Sequence, residues 1–307
     1  MESTYAPREP PALVVTADGA LAAVHEAGRI TLIDLPSAAP FAEIGVDPDA
    51  VASELGWLGA GAPRLLVLSR YAGHSTAHLL DPHGPRTIAE IRLEAPVRLC
   101  ATVGSHALVV GTGGAVGGPA VLGATETHLT PYQFPSRAIP LAAGAAGAQF
   151  VVALAGAIEE WDPISRLPKR RLRLPRAGAI SAVGGSERLV WMTTPQEPAR
   201  IDVIPVINRG QAKTHDLPEP IARIAGHPRS DVVVCVGADS GRIYVVDLDG
   251  RGRPQVLPID GVDRADAAAL ALGRVAVRRT ATAFVASHWL QCATQDATKQ
   301  RDGSVVR

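Results

Sequence analysis

The sequence predicts an all-β fold, a seven-bladed β-propeller of four-stranded antiparallel blades, and two observations carry that prediction. Short apolar runs recur in groups of four, separated by Gly, Pro and Asp turns. Each group takes about 40 residues, the size of one propeller blade. An Asp also closes the third run in four of these groups: Asp34, Asp81, Asp162 and Asp247, spaced 47, 81 and 85 residues apart. The last two spacings are each about two blade periods. The clearest copy is AGHPRSDVVVCVGADSGRIYVVDLDG, residues 225–250, which reads turn, strand, turn, strand, turn.

Taken in order, the units cover about 11–50, 51–96, 97–136, 137–176, 177–219, 220–261 and 262–293. In the first, strands are expected over 12–16, 20–25, 29–34 and 41–46, with Asp18-Gly19 as a hairpin turn. The second has runs at 55–59, 64–69, 76–81 and 87–93, and 51–54 reads alternatively as a helical turn. The fourth has 138–142, 149–154, 157–162 and 169–174, with Gly144 to Gly147 as a turn. The seventh has 267–272, 274–278 and 282–286 before the pattern is lost. Its outer strand is expected from residues 289–293 or from the N-terminal segment around 3–8. Residues 294–307 are polar and read as a tail.

Each marker Asp has a physical task. An Asp just after a strand accepts hydrogen bonds from the N–H groups of the turn that follows. Paired with the apolar residue before it, the marker resembles the WD dipeptide, present literally at Trp161-Asp162. The chain thus resembles the WD-repeat or YVTN-type propeller superfamily over roughly residues 11–290, at the level of fold. The full His–Ser/Thr–Trp–Asp set of classical repeats is missing. The resemblance implies ring closure through a blade shared between the chain ends, which favours the N-terminal segment. Pro7 and Pro10 suit such an edge position.

Composition narrows the function. Lys+Arg and Asp+Glu are equal at 30 each, so no global charge draws nucleic acid or an anionic membrane. Three cysteines without a CxxC fit a reducing cytoplasm. The Ala, Gly, Arg and Pro enrichment fits a GC-rich bacterial source. No basic start with an apolar run follows Met1, so no signal peptide is read. Residues 138–158 carry no charge, but their Ala/Gly content and central turn favour two buried strands over a membrane span.

No catalytic constellation emerges. His74, His78, Asp81 and His83 cluster in sequence, yet a strand would hold His74 and His78 about 13 Å apart, so a metal site is not expected. Glu159 and Glu160 are strand neighbours and point to opposite faces. The Gly-rich 111–119 lacks the Lys-Ser or Lys-Thr of a phosphate loop. The sharpest charge feature is PKRRLRLPR, where Lys169, Arg171 and Arg173 share one face of an outermost strand, with Arg176 beyond. Cations on an edge strand block unwanted pairing. They also offer a docking stripe, to which Trp289 adds a candidate anchor. The expectation is a non-enzymatic protein–protein interaction module, a scaffold or adaptor subunit of a bacterial cytoplasmic complex, with other protein subunits as partners and no cofactor. Alternatives are a propeller enzyme or small-ligand binder using the central channel, and a nucleic-acid-associated adaptor using the basic stripe.

Overall fold

The computed structural model describes residues 13–26, 28–60, 62–112, 119–133, 140–174, 179–206, 212–250, 253–258, 262, 264–271, 274–279 and 285–289. Six four-stranded antiparallel sheets follow one another along the chain, at 13–45, 52–93, 97–133, 142–173, 182–216 and 221–256. We call them blades 1 to 6. A three-stranded sheet follows at 265–289. Every sheet is a meander whose strands pair in sequence order, from an inner strand outward.

The core consists of layers between sheets. Leu21, Ile30 and Leu32 of blade 1 meet Leu55, Trp57 and Leu65 of blade 2. Val103 and Val121 of blade 3 meet Phe150 and Trp161 of blade 4. Blade 6 packs on the three-stranded sheet through Val234, Val236 and Val275. That sheet in turn packs on blade 1 through Ala267, Ala269 and Ala276 against Leu13, Ala22 and Val24. The ring is therefore closed: each sheet buries both faces, which is why its central strands read as continuous apolar runs.

The marker residues do what their position demands. Asp34 accepts from Ser37 N–H (3.1 Å), Asp81 from His83 N–H (3.1 Å), Asp162 from Ile164 N–H (2.8 Å) and Asp247 from Asp249 N–H (3.1 Å). Asp202 of blade 5 sits inside its strand instead, where it accepts from Thr214 Oγ1 at 3.1 Å.

Four expectations are corrected. Seven four-stranded blades were expected; six are four-stranded, and the last sheet has three strands among the described residues. Of the segments proposed for its outer strand, 3–8 and 289–293, all but Trp289 lie outside those residues, as does the tail. Trp289 does not open an outer strand but ends the third strand, Val285–Trp289, which lies three residues later than the pattern suggests. Residues 51–54 are not a helical turn, because Ala52–Ala60 is one long inner strand. Gly144 is not a turn: Ala142–Ala146 is the inner strand of blade 4, and the reversal comes at Gly147, with φ 57°. The reason is space. A Cβ on Gly144 would stand 2.1 Å from the Val183 carbonyl oxygen of blade 5, so only glycine admits the neighbouring strand. No helix among the described residues is long and apolar enough to cross a membrane.

Candidate functional site

Two places could carry function: the outer rim of blade 4 and the channel at the ring's centre.

At the rim, the outermost strand of blade 4, Pro168–Arg173, pairs with Ala157–Trp161 so that Arg171 stands opposite Glu159 and Arg170 opposite Glu160. Period two sends Glu159 to the same side as Trp161, which packs into the blade 3 interface. Arg171 lies on that side, 4.0 Å from the Glu159 carboxylate. Lys169 reaches Asp162 at 3.0 Å. Arg170 faces the other way, 3.7 Å from Glu160, and donates to the Val206 carbonyl of blade 5 at 2.6 Å. Burial pushes the Glu160 carboxyl up, against the pull of Arg170 and Lys169. The cations remain open to solvent, with side chains 52% exposed at Lys169 and 68% at Arg171. Screened pairs of this kind contribute little to stability. Arg176 lies outside the described residues. Trp289 pairs with Arg274 in the three-stranded sheet, away from this strand in the fold.

Sequence reasoning missed the turn that feeds this strand. Asp162 Oδ1 accepts from Ile164 N–H (2.8 Å) and Ser165 N–H (3.3 Å), while the Arg166 N–H closes on the Asp162 carbonyl (2.8 Å). This pinned loop holds two apolar side chains outward, Ile164 at 79% exposure and Leu167 at 57%. Arg166, at φ 61°, lays its guanidinium 4.9 Å from the Tyr132 ring centre on the outer strand of blade 3. Ile164, Leu167, Arg166, Lys169 and Arg171 thus form one apolar and basic knuckle. The signal was in the sequence, an Ile and a Leu inside an Asp-Pro turn, but an apolar residue in a turn does not announce its exposure.

The channel encloses a cavity of about 1150 Å³ lined by the inner strands. Its polar groups are mostly spoken for. Glu54, buried on the inner strand of blade 2, accepts from the Leu99 N–H of blade 3. A bulge opposite Leu108 and Val109 leaves Cys100 unpaired in the ladder beside it. Burial pushes Glu54 up, opposed by Leu99 N–H, Arg70 and Arg98. Burial also raises the Cys100 thiol to about 11, which makes it a poor nucleophile. Asp266 takes a bidentate pair from Arg278, both bonds 2.7 Å, and its carbonyl accepts from Arg223 Nε at 2.9 Å.

The histidine cluster of blade 2 is dispersed. His74 stacks on Tyr71, with centroids 4.5 Å apart. His78 sits 3.6 Å from Glu90, and Asp81 lies 3.6 Å from Arg64. His83 stacks on Phe41 at 6.4 Å. Among the described residues no three His, Cys, Asp or Glu side chains converge as metal ligands.

No protein-family model matches the chain, and no curated protein does. Solved structures do match. The β-propeller domain of Myceliophteria thermophila Cps50 (Swd1) superposes with a TM-score of 0.65 at 14% identity, over 91% of this chain and 96% of that one. The Neurospora crassa Pan2 WD40 domain gives 0.62 at 16%, over 88% and 86%. Kuenenia stuttgartiensis hydrazine synthase gives 0.63 at 12%, over 95% and 99%. At such identities the likeness is one of fold alone: the chain is a β-propeller, similar in fold to these WD40 domains.

Proposed function

We propose that the protein is a non-enzymatic interaction module, a scaffold or adaptor subunit of a bacterial cytoplasmic complex, and that it docks a protein partner on the outer rim of blade 4. The knuckle supports this reading: two exposed apolar side chains on a loop pinned by Asp162, flanked by Arg166, Lys169 and Arg171. A preformed loop loses little freedom on binding. Its charge calls for a partner surface where acidic groups border an apolar patch. The WD40 likeness adds a fold widely used for assembly, while hydrazine synthase among the neighbours shows that fold alone does not decide the matter. The nucleic-acid reading is weaker, because each of Lys169, Arg170 and Arg171 already faces a carboxylate and base-stacking aromatics are missing from the stripe.

The same reading makes the three-stranded sheet a seventh blade whose outer strand comes from residues 3–8. From outer strand to next inner strand the chain advances between four positions, from 93 to 97, and nine, as from 133 to 142 and from 173 to 182. Residue 8 precedes Leu13 by five positions, within that range.

The test is affinity purification from the native host with three baits: the natural chain, Lys169→Glu/Arg171→Glu, and Ile164→Asp/Leu167→Asp. Each double variant is expected to lose its partner, by about 2 kcal/mol or roughly thirtyfold in affinity, with the melting curve unchanged. Equal recovery with all three baits overturns the rim as the docking site.

A further inference from the structure

The two most exposed large apolar side chains among the described residues stand in loops of opposite charge. Ile164 belongs to the basic knuckle of blade 4. Val51, at 71% exposure, belongs to the link from blade 1 to blade 2, residues 46–51, which reads VDPDAV. That link is pinned as firmly as the knuckle. Asp47 Oδ1 accepts from Asp49 N–H (2.9 Å), its Oδ2 from the Tyr71 hydroxyl (2.6 Å) and its carbonyl from Ala50 N–H (3.1 Å). Val51 N–H donates to the Arg70 carbonyl at 2.8 Å, which seats Val51 next to Tyr71 and the His74 ring stacked on it.

Acids border this apolar spot. Asp47, Asp49 and Glu90 are exposed. The bond to Asp47, then burial, then the charges of these three acids push the Tyr71 hydroxyl up to about 12. The basic groups nearby are engaged: Arg29 faces Glu43 at 3.5 Å, His78 lies 3.6 Å from Glu90, and Arg70 acts on the buried Glu54. At the knuckle the balance is reversed, because Arg166 lies over the Tyr132 ring and pairs with no carboxylate among the described residues.

Topology puts the two loops on opposite faces of the ring. In a meander, the turn after the first strand and the turn after the third share one face. The turn after the second strand and the link to the next blade share the other. The knuckle follows the third strand of blade 4, Ala157–Trp161, whereas residues 46–51 are a link, and Tyr71 and His74 stand in the turn after the second strand of blade 2.

We propose, resting on the reading of the knuckle as a docking site, that its partner is a second copy of this chain: Ile164 and Leu167 meet Val51 and Tyr71 of the next copy, with Arg166, Lys169 and Arg171 turned toward Asp49 and Glu90. With 30 cations and 30 acids the chain is neutral, so copies approach without net repulsion and the unlike patches set the orientation. Two pinned loops lose little freedom on contact. The contact is small, which sets a weak affinity, with a Kd of about 100 µM. Because the patches lie on opposite faces, two copies cannot satisfy both contacts reciprocally, and copies add head to tail.

Sedimentation equilibrium of the full chain up to about 500 µM tests this. The mass is expected to rise with concentration beyond that of a dimer, and to rise less at about 300 mM than at about 50 mM salt. Lys169→Glu/Arg171→Glu and Asp49→Lys/Glu90→Lys, which spares the pin at Asp47, are each expected to stay monomeric alone. Mixed in equal amounts they are expected to associate, since the natural link of the first meets the natural knuckle of the second. Val51→Ser changes no charge and is expected to weaken association about fivefold. A natural chain that stays monomeric, a mass that stops at the dimer, or a mixture no larger than its components overturns the second copy as partner. A monomeric natural chain whose Lys169→Glu/Arg171→Glu bait still loses a host protein leaves the rim of blade 4 a docking site for that protein instead. Equal recovery by all three baits removes the rim and this contact together.

Discussion

Blade 4 has two edge strands, and they could hardly differ more. The inner one, Ala142–Ala146, is AAGAA; the outer one, Pro168–Arg173, is PKRRLR. Both lie at the end of a sheet, so edge position alone does not set composition. The inner edge faces the channel, where the rings of strands converge and backbones come close. A Cβ on Gly144 would also meet the Gly184 Cα at 3.0 Å. The outer edge faces solvent, where long cations cost nothing in space and block stray pairing. What the surroundings leave room for selects the residues, small inside and charged outside.

Gly144→Ala breaks the comparison at its strongest point. The atoms in the way, Val183 O and Gly184 Cα, are backbone, so neither can swing aside. A loss of about 3 kcal/mol is expected, from forced strand displacement between blades 4 and 5. Gly45→Ala is the control: it sits at the end of an outer strand with open space around its Cβ, and near-zero change is expected there. Chemical denaturation of both variants gives the difference. An unchanged midpoint for Gly144→Ala would show that the inner ring is looser than its geometry.

Much of this architecture could be read in advance, and the exceptions have a common cause. The blade period, the order of strands and the marker turns were legible because they are local. Asp34, Asp81, Asp162 and Asp247 each bond N–H groups two or three residues on. The inner strand of blade 4 was misread because AAGAA has no apolar–polar alternation and contains a turn former. Its strand character comes from blade 5, nearly forty positions later in the chain, at Val183. The last strand slipped by three residues because ATAFVASHW gives no fixed register. The site was legible in half: the basic stripe stood out, whereas nothing in the local sequence says that Ile164 and Leu167 stay exposed. The seating of the blade 6 loop 227–231 was invisible, since the partners of its residues belong to blades 1, 4 and 5.

A middle-sized effect is expected at Glu219, which joins the two levels by pinning a turn of blade 6 from outside its strands. Its carboxylate accepts from Asp239 N–H and Ser240 N–H, both 2.8 Å, from the Ser240 hydroxyl, and from Tyr244 Oη at 2.6 Å. Burial pushes this carboxyl up, but the bonds from Ser240, Tyr244 and the two N–H groups outweigh it and hold it at about 2. Since the folded value is depressed, the stabilisation is complete above the unfolded value near 4.5 and is lost as pH falls toward 2. Glu219→Gln is expected to lose about 2 kcal/mol at pH 7. The gap to the natural chain should narrow steadily between pH 4.5 and 2. Urea midpoints across that range test it; a gap that stays constant would mean the carboxylate charge is irrelevant to the turn.

The smallest effect lies at the rim itself and separates the turn from the ion pair. Asp162 both accepts from Ile164 and Ser165 N–H through Oδ1 and faces Lys169 through Oδ2. Asp162→Asn keeps an acceptor for the turn but loses the charge facing Lys169. Asp162→Ala loses both. If the marker acts as a turn acceptor, Asp162→Ala costs about 1 kcal/mol. Asp162→Asn and Lys169→Ala, which remove only a solvent-screened pair, each stay within about 0.5 kcal/mol of the natural chain. Thermal melts at low and high salt distinguish the cases, because only an ion-pair contribution shrinks with salt. Equal losses for Asp162→Asn and Asp162→Ala would assign the marker's role to charge. The outer edge of blade 4 would then be held by its cations and not merely decorated by them.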